Sequence, residues 1–331
     1  MVLSDLLERK KKKSSVKSLK WLMKESLLLP RKQLLLLLIF TVQKSLLLSD
    51  VQSKSDKTPV TVADYGSQAL VSFVLKRELP SEFFSLVAEE DSVDLRKDES
   101  QEMLKRITTL VNDTLSSDGR YDFSPLSEDD VLNAIDSGKS EGGSHGQHWV
   151  LDPIDGTKGF VRGDQYAIAL ALLDEGNVML GVLACPNLPL PTTGQSHQHS
   201  LQSQVGCLFS ARVGAGTYME FLDGSPPTKK LGVTAPPVRM DSQAKYGALA
   251  RGDGAIYLRF HHQGYHVKIW DHAAGCIVVT EAGGVVTDAA GNPLDFSIGK
   301  HLDLEKGIIV TSKKLMPLLL NAVQEVLKEQ S

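Results

Sequence analysis

The segment Asp152-Pro153-Ile154-Asp155-Gly156-Thr157 carries the residue types that a magnesium and phosphate site needs. It follows His148–Leu151, which we expect to form a strand, so both carboxylates lie where that strand ends. Carboxylate and carbonyl oxygens are the ligands that Mg²⁺ prefers, and a motif without His or Cys disfavours zinc. If a helix begins at Gly156 and Thr157, their free N–H groups form a phosphate site. For an isolated motif of this kind, a turn that caps a helix is the simpler alternative.

Three other acidic residues lie at predicted element boundaries. Glu89 follows the short apolar stretch Phe84–Ala88, whereas Asp64 and Asp271 each open a predicted helix. Taken singly, Asp64 and Asp271 suit helix caps, and Glu89 suits a solvated acidic loop. Helix caps need not converge on one point, but metal ligands must. The combined set therefore favours a metal centre.

These acids need strands that end near one another and helices that begin there. Hydrophobic periodicity predicts helices over Asp64–Lys76, His272–Ala282 and Leu315–Lys328, and two more between residues 92 and 148, the second beginning at Ser127. Strands are predicted at Phe84–Ala88, His148–Leu151, Tyr166–Leu173, Val178–Ala184, Gly206–Arg212, Gly216–Phe221, Ala255–Phe260, Val285–Thr287 and Gly307–Thr311. The elements alternate without the strict period of a doubly wound sheet, which favours a layered mixed α/β fold over a barrel.

Composition excludes several other classes of protein. The chain has 331 residues, 42% of them hydrophobic and 23% charged, which argues against a disordered or fibrous chain. After residue 50 it holds 25 basic and 36 acidic residues, without the long basic stripe of a nucleic-acid-binding protein. Acidic residues in an enzyme that handles phosphate need metal ions between them and the substrate. Three cysteines without C-x-x-C spacing exclude a disulfide scaffold and a structural zinc module, and suit a reducing compartment.

Residues 1–50 stand apart, with eleven Lys/Arg and four Asp/Glu. Their longest apolar stretch, Leu34–Phe40, is far shorter than the ~20 residues of a spanning helix, so we expect no stable membrane span. An amphipathic helix behind the basic run Arg9–Lys13 is the favoured interpretation. An organelle transit peptide is the alternative, which the acids among these residues weaken. The predicted compartment is the cytoplasm, or a plastid or mitochondrion if the segment is a targeting peptide.

The chain resembles the superfamily of lithium-sensitive, Mg²⁺-dependent phosphatases, which contains inositol monophosphatases, fructose-1,6-bisphosphatases and bisphosphate nucleotidases. Asp152–Thr157 matches its first signature, and Trp270–Gly275, followed by Glu281–Gly284, matches the second. Further matching segments are Lys57–Tyr65, Val87–Asp91, Glu141–Gly143, Lys158–Gly163 and Asp241–Tyr246. The last three of these resemble the bisphosphate nucleotidase branch, closest to the plant and fungal enzymes. The resemblance covers roughly residue 42 to the C-terminus.

The resemblance implies an α/β (α+β) layered sandwich of the inositol monophosphatase and fructose-1,6-bisphosphatase type, with two lobes. We expect a divergent basic segment over 1–41, a metal-binding lobe over 42–184, and a smaller lobe over 185–331 that completes the cleft. The connection near 222–237 is a few tens of residues shorter than in the family, which is typical of a splice variant or of an imperfect gene model. A Glu and a His that lie near the nucleotide in the family have no match there, which puts nucleotide affinity and stability in doubt.

Roles for individual residues follow from their motif positions. The resemblance implies that two or three Mg²⁺ ions are held by Glu89, Asp152, Asp155, Asp271 and the backbone carbonyl of Ile154. Asp64 and Thr157 would orient and deprotonate the attacking water. The amides of Gly156 and Thr157 would hold the phosphate, and Ser242, Lys245 and Arg259 would contact the nucleotide, with Tyr246 as a further candidate. The residue chemistry agrees, because Lys245 and Arg259 offer charge complementary to a second phosphate.

The function that the resemblance implies is hydrolysis of adenosine 3′,5′-bisphosphate, and of the 2′,5′ isomer, to AMP and phosphate. Inhibition by lithium and a place in sulfur metabolism would follow. One alternative is removal of the 1-phosphate from inositol polyphosphates. Another is a catalytically impaired variant that only binds phosphonucleotide. We expect a small-molecule substrate, no nucleic-acid partner, and a monomer in preference to an oligomer.

Overall fold

The computed structural model describes residues 51–53, 59–79, 84–118, 124–189, 205–222, 240–261, 264–302, 304 and 307–329. The expected N-terminal segment 1–41 and most of the shortened connection near 222–237 lie outside these ranges. No helix within the ranges is long and apolar enough to cross a bilayer.

The elements follow one another in mixed order along the chain. The strands are β1 (Val51–Ser53), β2 (Pro59–Thr61), β3 (Leu86–Ala88), β4 (Gln147–Asp155), β5 (Ala167–Asp174), β6 (Asn177–Pro189), β7 (Val205–Arg212), β8 (Gly216–Phe221), β9 (Ile256–Arg259), β10 (Val267–Lys268), β11 (Gly284–Asp288), β12 (His301–Leu302) and β13 (Ile308–Ser312). The helices are α1 (Val62–Glu78), α2 (Gln101–Asp118), α3 (Glu128–Asp136), α4 (Thr157–Arg162), α5 (Ala244–Arg251), α6 (Ala273–Glu281) and α7 (Met316–Glu329).

A six-stranded sheet in the order β3-β4-β5-β6-β7-β8 forms the centre of the molecule. Strands β3 and β4 run parallel, and every later pair in the sheet is antiparallel. Because side chains alternate along a strand, Ile168 and Leu170 of β5 pack with α1, α2 and α3 on one face. Ala167 and Ala169 pack with α5 and α6 on the other face. The small alanine side chains let those two helices lie close to the sheet.

A second, three-stranded sheet in the order β11-β13-β9 covers the outer side of α5 and α6. Ile308 and Val310 of β13 belong to the same buried cluster as those helices. Ile309 points to the opposite face, where it packs against Met316 and Val323 of α7. The chain therefore forms alternating layers of helices, sheet, helices, sheet and helix, which confirms the layered α/β prediction.

Two strands extend further than the sequence indicates. Strand β4 continues past Leu151 and through Asp152 to Asp155. Strand β6 continues past Ala184 to Pro189. The proposed boundary between residues 184 and 185 falls inside β6, so the central sheet takes strands from both sides of that boundary. The apolar residues Cys185 and Leu188 are buried there, which explains why the strand does not stop at the first proline.

Candidate active site

Asp64 and Thr157 are joined by a hydrogen bond, although 93 residues separate them in the chain. Helix α1 begins at Val62 with Thr61 as its N-cap, so Asp64 is the third residue of the helix and completes a capping box with Thr61. Its Oδ2 accepts hydrogen bonds from the Thr61 N–H at 2.8 Å and the Thr61 hydroxyl at 2.6 Å. Its Oδ1 accepts from the Thr157 hydroxyl at 3.1 Å. The cap and the contact with Thr157 therefore use different oxygens of one carboxylate.

Asp152 and Asp155 approach each other because β4 is irregular. Residues three apart in a regular strand point to opposite faces. Asp152 pairs with Ala169 and Asp155 with Ala167, so three steps on β4 match two on β5. Such a bulge re-aims side chains. The carbonyl oxygen of Ile154, inside the bulge, lies 3.2 Å from the Thr157 hydroxyl.

Glu89 lies directly after β3, beside the buried side chain of Gln68 from α1. Gln68 Nε2 donates to the carbonyl of Glu90 at 2.6 Å, and Gln68 Oε1 accepts from the Glu90 N–H at 3.0 Å. The same Nε2 lies 2.9 Å from the carbonyl of Ile135. Gln68 thus fixes the backbone of the residue that follows Glu89. Sequence reasoning missed this role.

Gly156 connects β4 to α4 with φ at 93°, in the left-handed region that favours glycine. A Cβ at this position would lie 3.1 Å from Cβ of Ser242 and 3.3 Å from the carbonyl oxygen of Asp241. The sequence 241–243 therefore packs closely over the turn. Ser242 is fully buried, and its hydroxyl accepts from the Ala244 N–H at 3.2 Å.

Gln243 connects the two signature segments of the chain. Its backbone N–H donates to Asp155 Oδ2. Its side chain donates to the carbonyl of Trp270 at 2.7 Å and accepts from the Gly275 N–H at 2.9 Å. One fully buried residue therefore holds Asp155 and both sides of Asp271. The sequence signal was a polar residue inside the matching run 241–246, to which no role was assigned.

Two cations, Lys245 and Arg259, face the acids from α5 and β9, and we call them the cationic pair. Arg259 Nη2 lies 4.0 Å from Asp271 Oδ2. Burial lowers the pKa of Lys245, although the negative charge of Asp155 opposes that effect. The structure therefore brings both predicted cations to the predicted metal ligands.

Tyr246 is not positioned to contact a substrate, contrary to the expectation that it is a further candidate. It is fully buried, and its hydroxyl lies 2.7 Å from Nδ1 of His272. Nε2 of His272 lies 3.3 Å from Arg259 Nη1. Because arginine can only donate, Nε2 accepts and the ring proton is on Nδ1. Tyr246 and His272 therefore support Arg259 from inside the protein.

Five carboxylates converge where these elements meet, and we call Asp64, Glu89, Asp152, Asp155 and Asp271 the acidic cluster. Burial, with the charges of Glu89, Asp155 and other members, raises the pKa of Asp152 well above its ordinary value. Burial raises the pKa of Asp155 to about 6, against the opposing charge of Lys245. Burial, with the charges of Asp155 and Glu89, raises the pKa of Asp271 to about 7. The cluster is short of positive charge.

The donor set of the acidic cluster fits a hard divalent cation. Asp152 is 2% exposed, and its Oδ1 accepts no hydrogen bond from the described part of the chain. A buried carboxylate oxygen without a partner is costly, and a cation would satisfy it. All the candidate donors are oxygens, as Mg²⁺ prefers. Within the described ranges, no three acidic, His or Cys side chains lie in an arrangement that could already hold a metal ion.

Comparison with known proteins identifies the family of the chain. Residues 56–328 match the sequence model of the inositol monophosphatase family. The chain belongs to this family. Its layered fold is shared with the IMPase of Thermotoga maritima, which superposes with a TM-score of 0.51 at 20% identity and covers 92% of this chain and 100% of that one. This family match confirms the superfamily that the two signature segments predict.

Two plant relatives of this family member are much more similar in sequence. A 3′(2′),5′-bisphosphate nucleotidase of Oryza sativa is 61% identical over 324 aligned residues, covering 88% of this chain and 90% of the rice protein. The 3′(2′),5′-bisphosphate nucleotidase 1 of Arabidopsis thaliana is 63% identical over 324 aligned residues, covering 87% and 92%. An alignment of 324 positions that covers only 88% of 331 residues includes positions without a residue here. This agrees with a shortened segment.

Proposed function

We propose that this family member is a Mg²⁺-dependent phosphatase that hydrolyses adenosine 3′,5′-bisphosphate, and the 2′,5′ isomer, to AMP and phosphate. The names of the plant relatives support the nucleotide as substrate in preference to an inositol phosphate. The observation that carries the proposal is the meeting of the acidic cluster with the cationic pair, seen at Asp271 and Arg259. Two or three Mg²⁺ ions would be held by Glu89, Asp152, Asp155, Asp271 and the carbonyl of Ile154.

Bound Mg²⁺ would supply positive charge that polarises the phosphate and lowers the pKa of water. The acidic cluster needs that charge, because carboxylates alone would repel a phosphate dianion. Gly156 and Thr157 have backbone N–H groups at the start of α4, where a phosphate oxygen can accept hydrogen bonds. Lys245 and Arg259 would bind the phosphate that is not cleaved, whereas Ser242, which was also expected to contact the nucleotide, is fully buried against the Gly156 turn and would support that turn. A substrate with two phosphates is thereby favoured over one with a single phosphate.

Asp64 and Thr157 would remove the proton from the attacking water. The Thr157 hydroxyl donates to Asp64 Oδ1, so its lone pairs are free to accept a proton from water. As water gives a proton to the Thr157 oxygen, that oxygen passes its own proton to Asp64, and the threonine ends unchanged. General base catalysis of this kind contributes about 10²- to 10⁴-fold. The capping hydrogen bonds to Oδ2 keep Oδ1 aimed at Thr157.

The test is phosphate release from adenosine 3′,5′-bisphosphate and from inositol 1,4-bisphosphate, with Mg²⁺ and with or without Li⁺. We expect Mg²⁺-dependent, Li⁺-sensitive release with a higher kcat/KM for the nucleotide. Asp152→Asn removes one buried ligand and should abolish release. Asp113→Asn, an exposed acid in α2, is the matched control and should behave as the unmodified protein.

Each other outcome has a defined meaning. A higher kcat/KM for the inositol phosphate would replace the nucleotide with an inositol polyphosphate as the substrate. Tight binding of the bisphosphate with no release would identify a catalytically impaired variant. Release that survives Asp152→Asn would place the chemistry elsewhere in the molecule.

A further inference from the structure

The edge of the site beside Arg259 is aromatic. Tyr265 precedes β10 and remains 45% exposed. Its hydroxyl lies 3.4 Å from Arg259 Nη2, and the Arg259 guanidinium carbon lies 5.7 Å from the centre of the tyrosine ring. The ring of His261 lies almost parallel to it, with an angle of 11° and 5.5 Å between the ring centres. Tyr265 is therefore held at a defined angle by two neighbours while part of its surface faces outward.

Tyr265 is also near the acidic cluster. Burial and the negative charge of Asp271 raise the pKa of its phenol, and Glu89 contributes in the same direction. Arg259 contacts Tyr265 and lies 4.0 Å from Asp271, so one guanidinium separates the ring from the acids. The base and both phosphates of the nucleotide are attached to one ribose ring, so with the phosphates at the acidic cluster and at Arg259 the base is close enough to meet this edge.

The chemistry of the edge distinguishes two kinds of substrate. A nucleobase has a flat π-face that stacks on tyrosine and histidine rings, and an arginine beside the stack adds a cation–π contribution. An inositol ring has no such face and gains little from an aromatic neighbour. A phosphate could accept a hydrogen bond from the Tyr265 hydroxyl but gains nothing from the stacked ring of His261, whereas a base gains from both rings.

Resting on the proposed function, we infer that Tyr265, supported by His261 and Arg259, is the surface on which the nucleobase of the substrate stacks. It is therefore a specificity-determining residue for phosphonucleotides. It contributes to recognition of the base and takes no part in the proton transfer at Thr157.

The experiment compares two substrates that differ only in the base, adenosine 3′,5′-bisphosphate and methyl ribofuranoside 3,5-bisphosphate, with Mg²⁺ present. For Tyr265→Ala we expect kcat/KM for the nucleotide to fall by about 5- to 150-fold, the range for loss of one base-stacking ring. The fall should be mainly in KM, and the baseless substrate should change by less than about 2-fold. Tyr265→Phe keeps the ring and should retain selectivity. Tyr218→Ala removes another exposed tyrosine, on β8, and serves as the control.

Two results would overturn the inference. One is an equal loss on both substrates, which would mean that Tyr265 acts through Arg259 on the phosphate. The other is no loss on either substrate. If the unmodified protein hydrolyses neither substrate, the proposed function fails, and equilibrium binding of adenosine 3′,5′-bisphosphate in Ca²⁺ decides the inference. In that assay Tyr265→Ala must weaken binding by the same factor. The inference would also be overturned if the variant bound as tightly as the unmodified protein, or if the unmodified protein showed no detectable binding.

Discussion

The acidic cluster and the cationic pair face each other across the site, but the protein holds them in different ways. Arg259 has partners inside the fold, because His272 accepts from it and Tyr246 supports that histidine. Asp152 is buried with one oxygen lacking a hydrogen bond from the described residues. Arg259 is therefore positioned by the fold before anything binds, whereas the acidic cluster stores repulsion that a cation would relieve. This difference indicates that the cationic pair serves to select the substrate, whereas the acidic cluster needs a metal ion.

Asp64 is the exception within the acidic cluster, and among changes that leave the proposed metal ligands in place, replacing its partner Thr157 should lower activity most. Both Asp64 oxygens accept hydrogen bonds, so it suits proton transfer better than metal binding. For Thr157→Val we expect kcat to fall by about 10²- to 10⁴-fold, because the hydroxyl that carries the proton is lost. Steady-state kinetics with the bisphosphate at saturating Mg²⁺ measures the change.

The control for this change is Thr157→Ser, which keeps the hydroxyl and should retain most of kcat. The melting temperatures of all three proteins should agree within a few degrees, because Thr157 is only partly buried. A Thr157→Val protein with normal kcat would show that Asp64 takes the proton directly or has no part in the step.

Removing metal should reveal the stored repulsion as an unusual dependence of stability on pH. The pKa of Asp155 is raised to about 6 and that of Asp271 to about 7, above the value of an unfolded chain. Groups of this kind stabilise the fold below about pH 4 and lose that contribution as pH rises through 6 and 7. In EDTA, the free energy of unfolding should therefore fall over this interval, by on the order of a few kcal/mol.

Urea unfolding at fixed pH values from 4 to 8 would measure this dependence. Saturating Mg²⁺ should flatten it, since a bound cation holds the carboxylates ionised. Asp155→Asn should also flatten it in EDTA while raising stability at neutral pH. Stability that is constant or rises with pH in EDTA would contradict the picture of a self-repelling cluster.

Two buried glutamines offer a comparison of how each loop of the site is held. Gln243→Met should leave the Trp270 carbonyl and the Gly275 N–H without their partner and let Asp271 move. We expect the Mg²⁺ concentration for half-maximal activity to rise about 10- to 100-fold, as for other groups that orient metal ligands, and KM to rise as well. Gln68→Met disturbs the loop of Glu89 and the contact with Ile135 but leaves Asp271 in place, so it should raise the half-maximal Mg²⁺ concentration similarly and KM less.

Both changes also leave buried backbone groups unsatisfied, at a cost of about 1–3 kcal/mol. The measurements must therefore be made well below the melting temperature of each variant, with Mg²⁺ binding followed by calorimetry. Gln243→Glu retains an acceptor for the Gly275 N–H but loses the donor to the Trp270 carbonyl and adds a buried negative charge beside the acidic cluster, so we expect it not to restore normal Mg²⁺ binding. A variant that loses stability but keeps normal Mg²⁺ affinity would show that the glutamine supports the fold alone.

The local pattern of the sequence predicted much of the layered fold. Ser127 and Asp130 form the expected capping box at the start of α3. The apolar runs on either side of residues 175–176 form the expected pair of antiparallel strands. These features depend on neighbours a few residues away, which a single sequence displays. The motif 152–157 also predicted a strand, a turn and a helix. It did not predict the bulge that brings the side chains of Asp152 and Asp155 to the same face of the strand.

The supporting contacts of the site could not be predicted in the same way. Gln68 bonds to a backbone group 22 residues away and Gln243 to one 27 residues away. Backbone carbonyls are identical at every position, so no residue type reveals which one a glutamine will meet. Tyr246 follows Lys245 in the chain, but neighbours on a helix point in different directions. That geometry buries Tyr246 while Lys245 stays in the site.

Asp136 accepts hydrogen bonds from the loop after Glu89, and replacing it should have the smallest effect on activity. Its carboxylate accepts from the Ser92 N–H at 3.0 Å, the Ser92 hydroxyl at 2.8 Å and Arg96 at 3.1 Å. Partial burial opposes ionisation, but Lys139, Ser92 and Arg96 together lower the pKa of Asp136 to about 2. For Asp136→Asn we expect a loss of about 1 kcal/mol of stability at neutral pH and little change in kcat.

Because the folded-state pKa of Asp136 is lowered, the stabilisation is present above about pH 4 and is lost as pH falls through 2. Urea unfolding of the unmodified and variant proteins should accordingly converge between pH 4 and 2, whereas a constant difference would show that Asp136 acts through shape and not through charge.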